Sequence, residues 1–101
     1  MVSDGNVYFI RDGLGSIKIG FAKDVTQRKK LLQTANPNKL EVFCVWHVPN
    51  MHHAYEIEHY LHIKFADIRK CGEWFEENDV IEWLRHGFLE VPNYRFENCD
   101  W

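Results

Sequence analysis

Hydrophobic residues in the first third of the chain form two short runs with the composition of β-strands. Residues 7–10 and 17–21 are rich in β-branched and aromatic side chains and contain no proline. Between these runs, the Asp-Gly-Leu-Gly sequence at 12–15 supplies residues that tolerate turn conformations. The pattern predicts a tight β-hairpin.

The register of this hairpin predicts which side chains lie side by side. If Arg11 pairs with Gly15, then Tyr8 pairs with Lys18. Partners across a ladder share a face of the sheet. We therefore expect the Tyr8 phenol and the Lys18 ammonium to be neighbours.

The period of the hydrophobic pattern then changes twice. Asp24 is placed to cap a helix that runs to about Ala35 and ends at the Asn-Pro pair at 36–37. Residues 41–48 are rich in valine and aromatic side chains, which predicts a third strand.

Two further helices are predicted after this strand. Residues 51–65 carry apolar side chains at helical spacing. These residues are Ala54, Ile57, Leu61 and Phe65. Asn78 and Gly87 are typical start and stop residues for a helix over 79–86. The structure of residues 88–101 is left open, because a proline interrupts their apolar patches.

The predicted order of elements is ββαβα with a further helix. Antiparallel strands with helices packed on them define an α+β fold, here a small three-stranded antiparallel sheet flanked by helices. A chain of 101 residues has room for one hydrophobic core, so residues 1–101 are expected to form a single domain.

Composition narrows the class of protein. With 46% hydrophobic residues, the chain is not intrinsically disordered. No run approaches the roughly 18–20 apolar residues that span a bilayer, so we expect a soluble, cytoplasmic protein without a membrane partner. Cys44, Cys71 and Cys99 are too few and too scattered for a disulfide framework and are expected to be free thiols.

The net charge of −3 conceals a strong asymmetry. Residues 17–40 hold six basic side chains and one acid, whereas residues 73–101 hold eight acids and two arginines. The early segment is suited to a polyanion, with Lys23, Lys29 and Lys30 as candidate phosphate-binding residues. The alternative is that this segment is an ordinary solvated helix face.

Four polar residues suggest chemistry. Tyr8 and Lys18 are predicted to share a sheet face, and Arg28 lies on the following helix. Glu58 interrupts the apolar stripe of the second helix, where a carboxylate must be paired, bind a metal or shift its pKa. A metal-binding carboxylate, two cations and a phenol suit the hydrolysis of phosphodiesters.

The order of these residues resembles the GIY-YIG endonuclease superfamily. The residues that carry the resemblance are Asn6-Val7-Tyr8, Lys18-Ile19-Gly20, Arg28, Glu58 with the following Leu61-His62, and Gly72-Glu73-Trp74-Phe75. The pattern is similar to the small bacteriophage-type branch, in which Lys-Ile-Gly replaces Tyr-Ile-Gly. The resemblance covers about residues 5–85.

This resemblance implies a role for each matched residue. Tyr8 corresponds to the tyrosine at the attacking water, Lys18 stands in place of the second tyrosine, and Arg28 contacts the scissile phosphate. Glu58 corresponds to the glutamate that binds a divalent metal, Mg²⁺ or Mn²⁺. His62 matches the histidine that orients this glutamate or donates to phosphate. The sequence departs from the family at Asn6, where a glycine is usual, and at Lys18.

Each residue also has a purely structural interpretation. Lys18 would be an exposed strand lysine, Arg28 would pair with Asp24 one turn earlier, and Glu58 would pair with Arg28 or Lys18. His62 would donate to the backbone. A zinc site is a rival interpretation, although the spacing of its candidate ligands fits no zinc signature. These candidates are His47, His52, His53, His59 and His62 with Cys44 and Cys71. Trp74 and Phe75 are expected in the core.

Two functions from different classes remain. The first is a metal-dependent endonuclease acting on DNA in preference to RNA, in the host cytoplasm if the chain is phage-encoded. The second is a non-catalytic GIY-YIG-like module that binds nucleic acid or a host defence protein. A homodimer would double the basic surface in either case. The acidic third of the chain offers a weaker alternative, an acidic decoy.

Overall fold

One antiparallel sheet organises the computed structural model, which describes residues 5–86 and 95–97. Its strands are β1 (Gly5–Arg11), β2 (Ser16–Ala22), β3 (Glu41–Val48), β4 (Arg69–Cys71), β5 (Trp74–Glu76) and β6 (Arg95–Glu97). The helices are α1 (Val25–Thr34), α2 (Met51–Lys64) and α3 (Glu77–His86), with a short 3₁₀ turn at Ala66–Ile68.

The sheet order is β4-β5-β2-β1-β3-β6, and every pairing is antiparallel. The predicted α+β class is confirmed, and the three predicted strands form the centre of the sheet. The strand count differs from the predicted three, because β4, β5 and β6 extend the sheet at its two edges. Each of these is three residues long, which is too short for a hydrophobic period to appear.

The hairpin register differs from the prediction by two residues. Tyr8 pairs with Gly20, and Lys18 pairs with Ile10. The loop is longer than predicted, because the Asp12 carboxylate accepts hydrogen bonds from the backbone N–H groups of Leu14 and Ser16. Since side chains alternate with a period of two, this shift leaves Tyr8 and Lys18 on the same face of the sheet.

Each face of the sheet has its own helical cover. One face packs against α1 through a small cluster that contains Tyr8, Ile10, Leu40 and Val45, with Val25 and Leu32 beside it. The opposite face carries the larger core and packs against α2 and α3. That core includes Val7, Phe9, Ile17, Ile19, Trp46, Ala54, Leu61, Phe75, Val80 and Leu84.

Side-chain caps fix where the first two helices begin. Asp24 accepts a hydrogen bond from the Gln27 N–H at 3.0 Å, which confirms the predicted cap of α1. Asn50 accepts from the His53 N–H at 2.8 Å at the start of α2. Helix α3 begins at Glu77, earlier than predicted, and the predicted stop at Gly87 lies outside the described residues.

The two cysteines within the described residues differ, and Cys99 lies outside those residues. Cys71 is exposed and free, as predicted. Cys44 is buried in β3 and disulfide-bonded, so the expectation of a free thiol there was wrong. Sequence spacing does not show which segments approach within bonding distance of a sulfur atom.

Among the described helices, none has the length and apolar composition needed to cross a membrane.

The outer edge of β2 is only half covered. Strand β5 pairs with β2 over Ser16, Ile17 and Lys18, and one further hydrogen bond joins the Ile19 N–H to the Glu73 carbonyl at 3.1 Å. In the described part of the chain, residues 20–22 have no strand partner on this side. Side chains from both faces of the sheet can therefore meet at this edge.

Gly20 makes room at this edge for the Tyr8 side chain. A Cβ atom built on Gly20 would overlap the hydroxyl oxygen and the ring of Tyr8. Because the phenol occupies the place of a side chain on its cross-strand partner, it reaches past Gly20.

We predict that Gly20→Ala lowers the free energy of unfolding by about 1–3 kcal/mol, the usual range for overpacking a filled core. Urea unfolding monitored by tryptophan fluorescence measures the loss. The control is the same substitution in a Tyr8→Leu background, where the overlapping ring atoms are absent and most of the loss should disappear. An equal loss in both backgrounds would contradict this account of Gly20.

Candidate functional site

Two carboxylates and an imidazole come together beside the uncovered edge of β2. Glu58 and His62 lie one turn apart on α2, and Glu73 comes from the turn between β4 and β5. One potential ligand atom from each of the three residues lies within 4.8 Å of the others. Glu58 is 8% exposed. We call these three residues the carboxylate cluster.

His62 holds this cluster against the backbone of β2. Its Nε2 atom lies 2.8 Å from the Ile19 carbonyl oxygen and 3.5 Å from Glu58 Oε1. A carbonyl oxygen only accepts hydrogen bonds, so Nε2 carries the proton and donates it. The sequence predicted that His62 contacts either the backbone or Glu58, and in the structure it lies close to both. If His62 bound a metal through Nε2, its hydrogen bond to the Ile19 carbonyl oxygen would have to break.

Lys18 reaches the cluster from the other face of the sheet. Its Nζ atom lies 2.8 Å from Glu73 Oε1 and 5.7 Å from the centre of the Trp74 ring. Lys18 is 8% exposed, so the interpretation as an exposed strand lysine is wrong. Phe75 is buried as predicted, whereas Trp74 is half-buried and covers Lys18.

Tyr8 and Arg28 form the third part of the site. Burial raises the pKa of Tyr8, and a hydrogen bond and the positive charge of Arg28 oppose that rise. The same hydrogen bond raises the pKa of Arg28. Arg28 therefore extends from α1 to the Tyr8 phenol. The Asp24 carboxylate, its expected structural partner, caps the helix instead.

The surroundings of Glu58 raise its pKa above the ordinary value of a glutamate. Burial raises the pKa of this carboxyl, His62 opposes the rise, and Glu73 adds to it. The nearest basic group is His62, and Lys18 pairs with Glu73. The interpretation of Glu58 as the partner of Arg28 or Lys18 in a structural ion pair is therefore not supported.

The predicted phosphate-binding lysines lie apart from the carboxylate cluster. Lys23 and Lys29 line a separate cavity of about 730 Å³ at the start of α1, and Lys30 is exposed on that helix. Asn6 also lines this cavity. Its side-chain amide donates to the carbonyl oxygens of Ala22 and Lys23 at 3.2 and 3.0 Å, so this departure from the family pattern ties β1 to the end of β2.

The other histidines of α2 make separate contacts. His52 pairs with Glu56 at 3.4 Å, and His59 stacks on Tyr55 with ring centres 5.8 Å apart. Within the described residues, the group able to hold a metal is the carboxylate cluster, and it contains neither of these histidines. The zinc alternative gains no support from this arrangement.

Glu73 is the site residue that the sequence analysis did not assign. It lies fifteen positions after Glu58, in the turn of a strand pair too short to predict, and only the pairing of β5 with β2 brings it to Lys18. The feature of the sequence that pointed to Glu73 was its position in the Gly-Glu-Trp-Phe sequence at 72–75, which belongs to the family resemblance.

The candidate site thus combines the Tyr8–Arg28 pair, Lys18 and the carboxylate cluster at one strand edge of a small α+β domain. The chain belongs to the T5orf172 domain family, whose model matches residues 5–87. This domain is GIY-YIG-like, which confirms the broad resemblance. Neither a curated protein nor a solved structure matches the chain.

We predict that the two glutamates of the cluster respond oppositely to removal of their charge. Glu58→Gln should leave the melting temperature unchanged or raise it, because a carboxyl whose pKa is raised by burial opposes folding when it is ionised. Glu73→Gln should lower the free energy of unfolding by about 1 kcal/mol, because buried Lys18 loses its partner; the exposure of Glu73 keeps this below the loss expected for a fully buried pair.

Thermal and urea unfolding of both variants at neutral pH test this prediction. Glu56→Gln, on the exposed surface of the same helix, is the control for the acid-to-amide change. A loss of several kcal/mol in Glu58→Gln would instead identify Glu58 as half of a structural ion pair.

Proposed function

We propose that this protein is a divalent-metal-dependent endonuclease that hydrolyses phosphodiester bonds in DNA. One observation carries the proposal: Lys18 pairs with Glu73 of the carboxylate cluster, and the Tyr8–Arg28 hydrogen-bonded pair interacts electrostatically with the same carboxylates, where the described strand cover of β2 ends. Cations, a phenol and carboxylates are the groups that such a reaction requires.

The donor set of the cluster fits a hard divalent cation. Glu58 and Glu73 offer carboxylate oxygens, which Mg²⁺ and Mn²⁺ prefer, and Mg²⁺ is commonly held by one or two carboxylates. We assign Glu58 as the principal metal ligand and Glu73 as the second. When bound, the metal supplies charge stabilisation to the phosphate and lowers the pKa of a bound water.

The other residues have roles that follow from their contacts. A phenol is protonated at neutral pH, and burial raises the pKa of Tyr8 further, so Tyr8 positions the attacking water instead of accepting its proton. Arg28, which is exposed beside this phenol, binds the scissile phosphate. Lys18 occupies the position of the second motif tyrosine and balances the negative charge that develops on the phosphate. His62 positions Glu58 through its bond to Ile19.

One observation favours the second candidate, a non-catalytic module that binds nucleic acid or a host defence protein. Lys18 and Glu73 already neutralise each other at 2.8 Å. A protein that uses this pair only for stability would keep it closed and would not need a metal. Cleavage assays separate the two functions.

We predict that the purified protein nicks supercoiled plasmid with Mg²⁺ or Mn²⁺ and that a chelator abolishes the activity. Glu58→Gln should reduce the cleavage rate by about 100-fold or more, because loss of metal-based charge stabilisation raises the barrier by several kcal/mol. Glu56→Gln should cleave at the normal rate. If the folded protein does not cleave with either metal but binds DNA, the binding module is the correct function.

We predict that the lysines of α1 contribute to DNA binding by pairing with phosphates. The double substitution Lys29→Ala and Lys30→Ala should reduce the slope of log affinity against log salt by about one unit for each phosphate that is no longer neutralised. Lys64→Ala is the matched control, because this lysine belongs to α2, on the opposite face of the sheet, and lies over the Trp83 ring. An unchanged slope in the α1 variant would identify that surface as an ordinary solvated face.

A further inference from the structure

Three aromatic rings form a continuous row on the surface beside the carboxylate cluster. Phe21 and Tyr55 meet edge to face with ring centres 5.7 Å apart, and Tyr55 and His59 stack within 13° of parallel at 5.8 Å. Tyr55 is 49% exposed, His59 is exposed and Phe21 is half-buried. We call these three residues the aromatic ledge.

The ledge directly continues the candidate site. Tyr55 lies three residues before Glu58 on α2, and at 3.6 residues per turn it is about 20° around the helix from His62. Phe21 follows Ile19 on β2 by two residues and therefore points to the same face of the sheet. The ledge thus runs from the carboxylate cluster along the uncovered edge of β2.

The exposure of these rings is not explained by packing. Tyr55 and His59 lie on the side of α2 that turns away from the buried residues Ala54, Ile57 and Leu61. The exposed Tyr55 and His59 rings, which are nearly parallel, suit a ligand that has its own aromatic faces. Nucleobases stack on such side chains with little dependence on sequence, and this is how single strands are commonly bound.

We propose that the aromatic ledge stacks unpaired bases next to the bond held at the carboxylate cluster, which makes single-stranded or locally unpaired DNA the preferred substrate. This inference rests on the proposed function and specifies its substrate class. In a continuous duplex both faces of each base are covered by neighbouring base pairs, so the ledge has nothing to stack against. A strand with free bases can place its phosphate near Arg28 and Lys18 and its bases on the rings.

The test measures binding without cleavage, in the presence of a chelator. A fluorescently labelled single-stranded oligonucleotide of twelve thymidines and a duplex of equal length are titrated with the protein. Tyr55→Ala should weaken single-strand binding by about 10-fold and change duplex binding by less than about 2-fold, in keeping with the usual contribution of one stacked base. Tyr55→Phe keeps the ring and should restore single-strand binding.

Tyr60→Ala is the matched control. Tyr60 is 44% exposed on the same helix but lies about 140° around it from Tyr55, away from the ledge. The Tyr60→Ala variant should bind single strands as tightly as the unmodified protein does. Equal effects of the two alanine variants, equal losses on single strand and duplex, or no detectable binding to single-stranded DNA would each overturn the proposal.

A stacking signal and a cleavage assay distinguish this inference from the proposed function. The fluorescence of an oligonucleotide that contains 2-aminopurine should be quenched by the unmodified protein and by Tyr55→Phe. The Tyr55→Ala variant should quench this fluorescence less. Quenching in a protein that cleaves no DNA would support the ledge and refute the nuclease. Metal-dependent cleavage that is as fast on a duplex as on a single strand, and unaffected by Tyr55→Ala, would support the nuclease and refute the ledge.

Discussion

The outer edge of β2 is paired with β5 only as far as Lys18, and the candidate site depends on this interruption. A sheet separates the side chains on its two faces, so Lys18, on the face that packs against α1, and Glu58, on α2, are linked only through Glu73 at the edge of β2. Beyond Lys18, the edge is open to groups from both layers. Glu73 closes the paired part, joins Lys18 by an ion pair and lies within 4.8 Å of the α2 ligands.

The charges at this edge act against one another at the carboxylates. Burial makes the ionised form of Glu58 unfavourable, and Glu73 adds repulsion, while Lys18 neutralises Glu73 from the opposite side. A divalent cation would relieve the repulsion between the two carboxylates, whereas a packed core would have no need of it. In the proposed function, the carboxylates serve a ligand and not stability, and Arg28 and the aromatic ledge lie beside them.

The two layers of helices contribute different chemistry to that edge. Helix α1 brings Arg28 to the Tyr8 phenol, which reaches past Gly20 because that residue has no side chain. Helix α2 contributes the Glu58 carboxylate, the His62 imidazole and the exposed Tyr55 ring, which lie on adjacent sides of the helix. Membership of the T5orf172 domain family agrees with this division, since the family match covers both helices and the hairpin that supplies the edge.

The sequence by itself determined the α+β class, the three central strands, the cap of α1 and the position of α2, because these depend on local periods and local hydrogen bonds. It also placed Tyr8 and Lys18 on one face, since a register shift of two residues preserves the face. Only the tertiary structure decided that Glu73 joins the site, that His62 binds Ile19 and that Lys23 and Lys29 line a separate cavity. These contacts link residues far apart in the chain, and their energies depend on burial and pairing that no local pattern specifies.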